Sequence, residues 1–81
     1  MQVRVRFFSY LAGLIGAQQV ELSMPAAATV AGLSRRLQEL YPERAVLLAQ
    51  AVFIADRKST TPETALADGA QVLVLLSLGG G

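Results

Sequence analysis

Val72-Leu73-Val74-Leu75-Leu76 is apolar at every position, so the strand it forms is expected to lie in the middle of a sheet rather than at a wet edge. The strand is entered through Asp68-Gly69, a strong turn signal, and is followed by Ser77-Leu78-Gly79-Gly80-Gly81. A central last strand needs neighbours, and these must come from upstream. Val3, Val5 and Phe7 alternate with Arg4 and Arg6, the period-two pattern of a strand over residues 2–8 with one face on a core. Gly13 and Gly16 interrupt that pattern, which implies a loop of moderate length. Gln18 to Ser23 resumes it, with Val20 and Leu22 inward and Gln19 and Glu21 outward.

Thr29 is a good N-cap, and Val30, Leu33, Leu37 and Leu40 follow at helical spacing on one side, with Arg35, Arg36, Gln38 and Glu39 on the other. Gly32 costs such a helix about 1 kcal/mol relative to Ala, so it is expected to permit a close approach to the sheet. Tyr41-Pro42 ends the helix, because Pro disfavours helical geometry in the residue before it. Residues 43–50 read as a short helical turn, and Ala51 to Ala55 as a strand ended by polar Asp56 to Ser59. Thr60 to Ala67 is a polar connection anchored by Leu66. The order β-β-α-β-β, with a central last strand, implies an α+β fold in which strand one pairs with the last strand and the helix crosses one face. Val3, Val5, Phe7, Val30, Leu33, Leu37, Leu40, Val72 and Val74 are expected to share its core.

Composition narrows the function. The chain has 81 residues, 53% of them hydrophobic, which supports one cored domain and spares little apolar surface for a deep substrate cavity. Neither Cys nor His is present, which removes thiolate nucleophiles, disulfides, the usual zinc ligands and the commonest general base. Of the six carboxylates, only Glu39 and Glu43 stand at i, i+4, and Pro42 interrupts them; no catalytic side chain and no metal site is expected. Seven basic residues are scattered, giving a net charge of +1, whereas a nucleic-acid footprint needs a concentrated basic stripe. The basic pairs Arg35-Arg36 and Arg57-Lys58 read as a solvated helix face and a solvated turn, or as docking points for an acidic partner. The N-terminus alternates charged and apolar residues, unlike a signal peptide, and no apolar run approaches the ~20 residues of a membrane span. A cytoplasmic location is expected.

The three final glycines follow directly on the buried strand without a polar linker. Taken with Val3-Arg4-Val5-Arg6-Phe7-Phe8, the Leu11 to Gly16 stretch, the Thr29-Val30 helix start and the Leu66 to Val72 segment around Asp68-Gly69, they give a pattern that spans the chain. It resembles the ubiquitin-like β-grasp sulfur carriers with a C-terminal Gly-Gly, and among them the small subunit of molybdopterin synthase. That family often carries two prolines where this chain has Leu76-Ser77, and a small polar residue where it has Gly79.

The resemblance implies a β-grasp domain over residues 1–78 with a flexible glycine tail at 79–81. It implies that an ATP-using, ubiquitin-activating-like adenylyltransferase activates the Gly81 carboxylate and that sulfur, supplied indirectly by a desulfurase or rhodanese, converts it to a thiocarboxylate. Gly79 and Gly80 would thread into the partner, since residues without Cβ can enter a narrow channel. The molybdopterin synthase large subunit would hold the catalytic side chains, in a heterotetramer; this chain would bind no cofactor, nucleic acid or membrane. The same resemblance leaves open a carrier for thiamine, cysteine or tRNA thiolation, and a β-grasp interaction or protein-conjugating module without sulfur. Phe8, which follows inward Phe7, and Leu76 and Leu78, which bracket Ser77, are the candidate docking residues, with core or loop packing the alternative for Phe8.

Overall fold

Two hydrogen bonds to the Gln2 backbone from the Asp68-Gly69 turn set the register of the sheet. In the computed structural model, which describes residues 1–76, Asp68 Oδ1 accepts from the Gln2 N–H at 2.9 Å and the Gly69 N–H donates to Gln2 O at 2.7 Å. Gly69 adopts φ +79°, which a residue without Cβ tolerates at little cost. The turn thereby starts strand β5 (Ala70–Leu75) alongside β1 (Gln2–Phe7), in parallel, with Val3 opposite Ala70, Val5 opposite Val72 and Phe7 opposite Val74. β2 (Gln19–Ser23) is antiparallel to β1, and β3 (Val52–Ala55) is antiparallel to β5 with Phe53 opposite Val74. A two-residue β4 (Lys58–Ser59) closes a hairpin with β3. The order β2-β1-β5-β3-β4 puts the last strand at the centre and pairs it with strand one, as expected from its apolar sequence. The architecture is an α+β, ubiquitin-like β-grasp: a mixed sheet with one principal helix.

That helix, α2 (Val30–Leu40), lies in the connection that any parallel strand pair requires. Its N–H groups at Val30, Ala31 and Gly32, which have no i−4 carbonyl inside the helix, are all satisfied, and Leu33 begins the i→i−4 ladder. Val30 donates to Thr64 O, Ala31 to Pro62 O, Gly32 to Thr29 Oγ1 at 3.2 Å, and Leu33 to Thr29 O. The polar 60–67 connection therefore acts as the helix cap, and its apolar anchor Leu66 is buried as expected. Val30, Leu33 and Leu37 pack on Val3, Val5, Phe7, Val72 and Val74 in one core that also takes in Leu11, Leu48 and Phe53.

Three expectations need correction. Leu40 does not join the core: it is 39% exposed, because the inward stripe passes from Leu37 to the i+4 residue, Tyr41. The Tyr41 ring meets Phe7 edge-on with centroids 5.9 Å apart, and its N–H still donates to Leu37 O. Gly32 makes no close approach to the sheet; a Cβ there would meet only Thr29 Oγ1, at an ordinary 3.7 Å. The expected loop after β1 contains a short helix, α1 (Tyr10–Ile15), which buries Leu11 and ends at Gly16 in the left-handed conformation. The helical turn expected at 43–50 is present, as a 3-10 turn at Pro42–Arg44 leading into α3 (Ala45–Ala49), whose buried residue is Leu48.

Candidate partner-docking site

Alternation along the strands divides the sheet into a core face and an outer face. The core face carries Val3, Val5, Phe7, Val72, Val74 and Phe53, all buried beneath α2. The registers Arg6–Leu73 and Val52–Leu75, together with Ile54–Leu73, put those five residues on the other face. No helix or strand among the described residues covers that face, so Leu73, Leu75 and Ile54 are only partly buried and Val52 is 41% exposed. The all-apolar last strand was expected in the middle of the sheet, with the helix across one face. It is central, but one side of it remains open.

The open apolar strip lies at the end of the sheet where β5 finishes. The Phe8 N–H donates to Val74 O at 2.9 Å, extending the β1–β5 pairing one residue past Phe7. Phe8 thus follows Phe7 onto the opposite side, and it is 55% exposed. Ser9, with φ +48°, then turns the chain into α1, where Tyr10 is 64% exposed. Leu76 packs against the core while remaining partly exposed. Phe8 and Leu76 are therefore brought to the same end of the sheet but in different settings. Leu78, Gly79, Gly80 and Gly81 lie outside the described residues.

The strip is bordered by charge. Arg4 pairs with Glu21 across β1 and β2 at 3.1 Å, both half-exposed, so the pair contributes at most about 1 kcal/mol. Arg6 stands between that pair and Leu73. Val52, Ile54, Leu73 and Leu75 were not singled out from the sequence; the all-apolar last strand was the available signal. Among the described residues no group of three or more His, Cys, Asp or Glu side chains is placed to hold a metal, and no buried side-chain polar atom lacks a partner. What this surface offers is contact area, apolar along Val52, Ile54, Leu73 and Leu75, beside the end of β5. Among the described residues no helix is long and apolar enough to cross a membrane.

No model of a known protein family matches the chain, and no curated protein matches it. Its fold does match solved structures along its whole length. A candidate molybdopterin converting factor, subunit 1, from Pyrococcus furiosus superposes with TM-score 0.85 at 19% identity, over 96% of this chain and 99% of that one. The small archaeal modifier protein 1 of Haloferax volcanii gives TM-score 0.80 at 16% identity, over 95% and 98%. A chain from the complex of subunits 1 and 2 of the molybdopterin-converting factor from Helicobacter pylori gives 0.69 at 22% identity, over all of both chains. At these identities the likeness is one of fold, and it defines the class: a small ubiquitin-like β-grasp domain.

Proposed function

We propose that this chain is a sulfur carrier that supplies the sulfur of the molybdopterin dithiolene, acting through its Gly81 carboxylate and docking on a catalytic large subunit through the open face of its sheet. The observation that carries this reading is the junction at Leu75 and Leu76: the central strand runs directly into the glycine-ended segment, next to an uncovered apolar strip. The resemblance to a molybdopterin converting factor subunit, and to a chain that forms a complex with a second subunit, supports it.

In this reading a carboxylate oxygen of Gly81 attacks the α-phosphorus of ATP on an activating adenylyltransferase, and pyrophosphate leaves. The acyl-adenylate then accepts a sulfide equivalent at its carbonyl carbon and AMP departs, leaving a thiocarboxylate. From Leu78 to Gly81 an extended chain reaches about 13 Å at ~3.3–3.6 Å per residue, so the reactive end can enter a buried site while the globule stays outside. Immobilising the three glycines costs about 3–6 kcal/mol at ~1–2 kcal/mol each, which docking contacts must offset. The test supplies thiocarboxylated protein and cyclic pyranopterin monophosphate to the large subunit. Dithiolene formation supports the reading; its absence, with transfer of sulfur to thiamine precursors, cysteine or tRNA instead, reassigns the pathway.

The docking surface makes a separate prediction. Phe8→Asp and Leu78→Asp should each weaken binding to the large subunit by about tenfold or more, since truncating an interface anchor costs ~2 kcal/mol. Phe8 is more than half exposed, so its substitution should change folding stability by no more than about 0.5 kcal/mol. Isothermal titration and thermal melts on the same samples check both; an equal loss of stability would assign Phe8 to the fold. A second reading, favoured by the likeness to a small archaeal modifier protein, is conjugation of Gly81 to amines of other proteins.

A further inference from the structure

We propose that Arg57, at the tip of the β3–β4 hairpin, acts with Arg6 to recognise carboxylates on an acidic, Leu-containing segment of a protein partner seated on the outer face of the sheet. The inference concerns the chemistry of the docking partner; it rests on the outer face being a docking surface and not on sulfur transfer.

The first observation is backbone strain. The hairpin turns through Asp56 and Arg57, with φ +48° and +69°. Two-residue turns with positive φ at both positions favour Asn-Gly or Asp-Gly, because a Cβ is disfavoured in the left-handed region. Asp56 conforms. It is also held from both sides, its N–H donating to Gln71 O and its Oδ1 accepting from the Gln71 N–H at 3.0 Å. Arg57 occupies the position where glycine would be relaxed, and among the described residues its side chain makes no hydrogen bond or ion pair. A long cation kept at a backbone cost, without an internal partner, points to a use outside the fold.

The second observation is placement. Arg57 lines a shallow hollow of about 680 Å³ on the outer face together with Arg4, Arg6, Ile54, Gln71 and Leu73. Of the two carboxylates nearby, Glu21 is engaged by Arg4 and Asp56 Oδ1 by the Gln71 N–H. The hollow thus presents Arg6 and Arg57, neither of them in an ion pair among the described residues, against the single negative charge of Asp56, and so keeps a positive balance beside the apolar strip of Ile54, Leu73, Leu75 and Val52. Complementarity calls for acidic residues interleaved with apolar ones, the apolar ones on the strip and the carboxylates in the fork of a guanidinium. Two free cations among aliphatic side chains do not make the concentrated basic stripe, or the aromatic platform, that nucleic acid requires.

The test is a titration of the full 15N-labelled chain, at low salt, with the peptide acetyl-Glu-Leu-Asp-Glu-Leu-amide. Its isostere acetyl-Gln-Leu-Asn-Gln-Leu-amide and a single-stranded oligonucleotide of thymidines serve as comparisons. The acidic peptide should shift the amides of residues 4–6, 54–57 and 71–73, the neutral peptide should not, and the oligonucleotide should bind more weakly. Arg57→Gly should weaken the peptide about fivefold without lowering Tm, because the substitution removes the cation and relaxes the turn. Arg6→Gln should weaken it by a similar factor. Equal shifts with the neutral peptide, tighter binding of the oligonucleotide, unchanged binding by both variants, or a lowered Tm for Arg57→Gly would each overturn the proposal. A deletion of residues 77–81 that exposes the site to the peptide only once the tail is gone would likewise assign the hollow to the chain's own end.

Discussion

Deletion of Gly81, or of Gly80 and Gly81 together, should abolish sulfur transfer in the reconstituted synthase reaction while the globule stays folded and still binds its partners with reduced affinity. The core is built from residues between Val3 and Val74, so removing the last two residues takes nothing from it. Each deletion draws the carboxylate back by about 3.5 Å per residue. That displacement is decisive, because reacting atoms must come within roughly 3–3.5 Å and an error of 1 Å can cost about a hundredfold in rate. Gly81→Ala should fall between wild type and the deletions, or match the deletions if the partner channel closes on the terminal residue. Turnover, pyrophosphate release by the activating enzyme and thermal melts are read on each variant. Undiminished turnover by the double deletion would return the chain to a plain interaction module.

The other large effect is on folding. Leu33 is fully buried between α2 and the sheet, and Leu33→Ala should cost about 2–5 kcal/mol through lost burial and the cavity left behind. Against the ~5–15 kcal/mol of a typical domain this is a large share, and it should lower Tm by about 8–40 °C at ~4–8 °C per kcal/mol for a chain of this size. Leu40→Ala, three residues past Leu37 on the same helix, should cost less than about 1 kcal/mol because Leu40 is 39% exposed and Tyr41 fills the inward position. Comparable losses for the two variants would contradict the placement of Tyr41 against Phe7.

The contrast between those leucines shows where sequence periodicity stops. Val3, Val5, Phe7, Leu33, Leu37 and Val74 repeat over several periods, and each repeat supports the others, so the strand pair and the main helix are legible. Leu40 is the last member of its series, and at the helix end the inward position passes from Leu37 to Tyr41, one helical turn on. α1 buries Leu11 alone and carries Gly13 within six residues, too little signal to separate a helix from a loop. β4 is two residues long and exists through its pairing with Ile54 and Ala55. Gly32 looked like a packing residue because its helix cost is visible in sequence and its surroundings are not.

Part of the docking surface was legible for the same reason. Phe8 stands out because two aromatic residues in succession cannot both face one core, and the structure leaves it exposed. Leu73 and Leu75 were visible as apolar, but alternation reports which face a side chain takes and not whether a second layer covers that face. Val52 and Ile54 join the strip through the register of β3 against β5, a long-range pairing that a short apolar run does not encode. The use read for Gly79, Gly80 and Gly81 falls outside the described residues.

The central claim is that Gly81 carries sulfur, and intact-mass spectrometry tests it most directly. The chain is incubated with its activating enzyme, ATP and a sulfur source, and the C-terminal peptide is then fragmented. Exchange of one carboxylate oxygen for sulfur should add about 16 Da, located on Gly81 and absent when ATP is withheld. A chain that stays at its original mass, or that gains only the mass of a second protein through an amide at Gly81, would contradict the account.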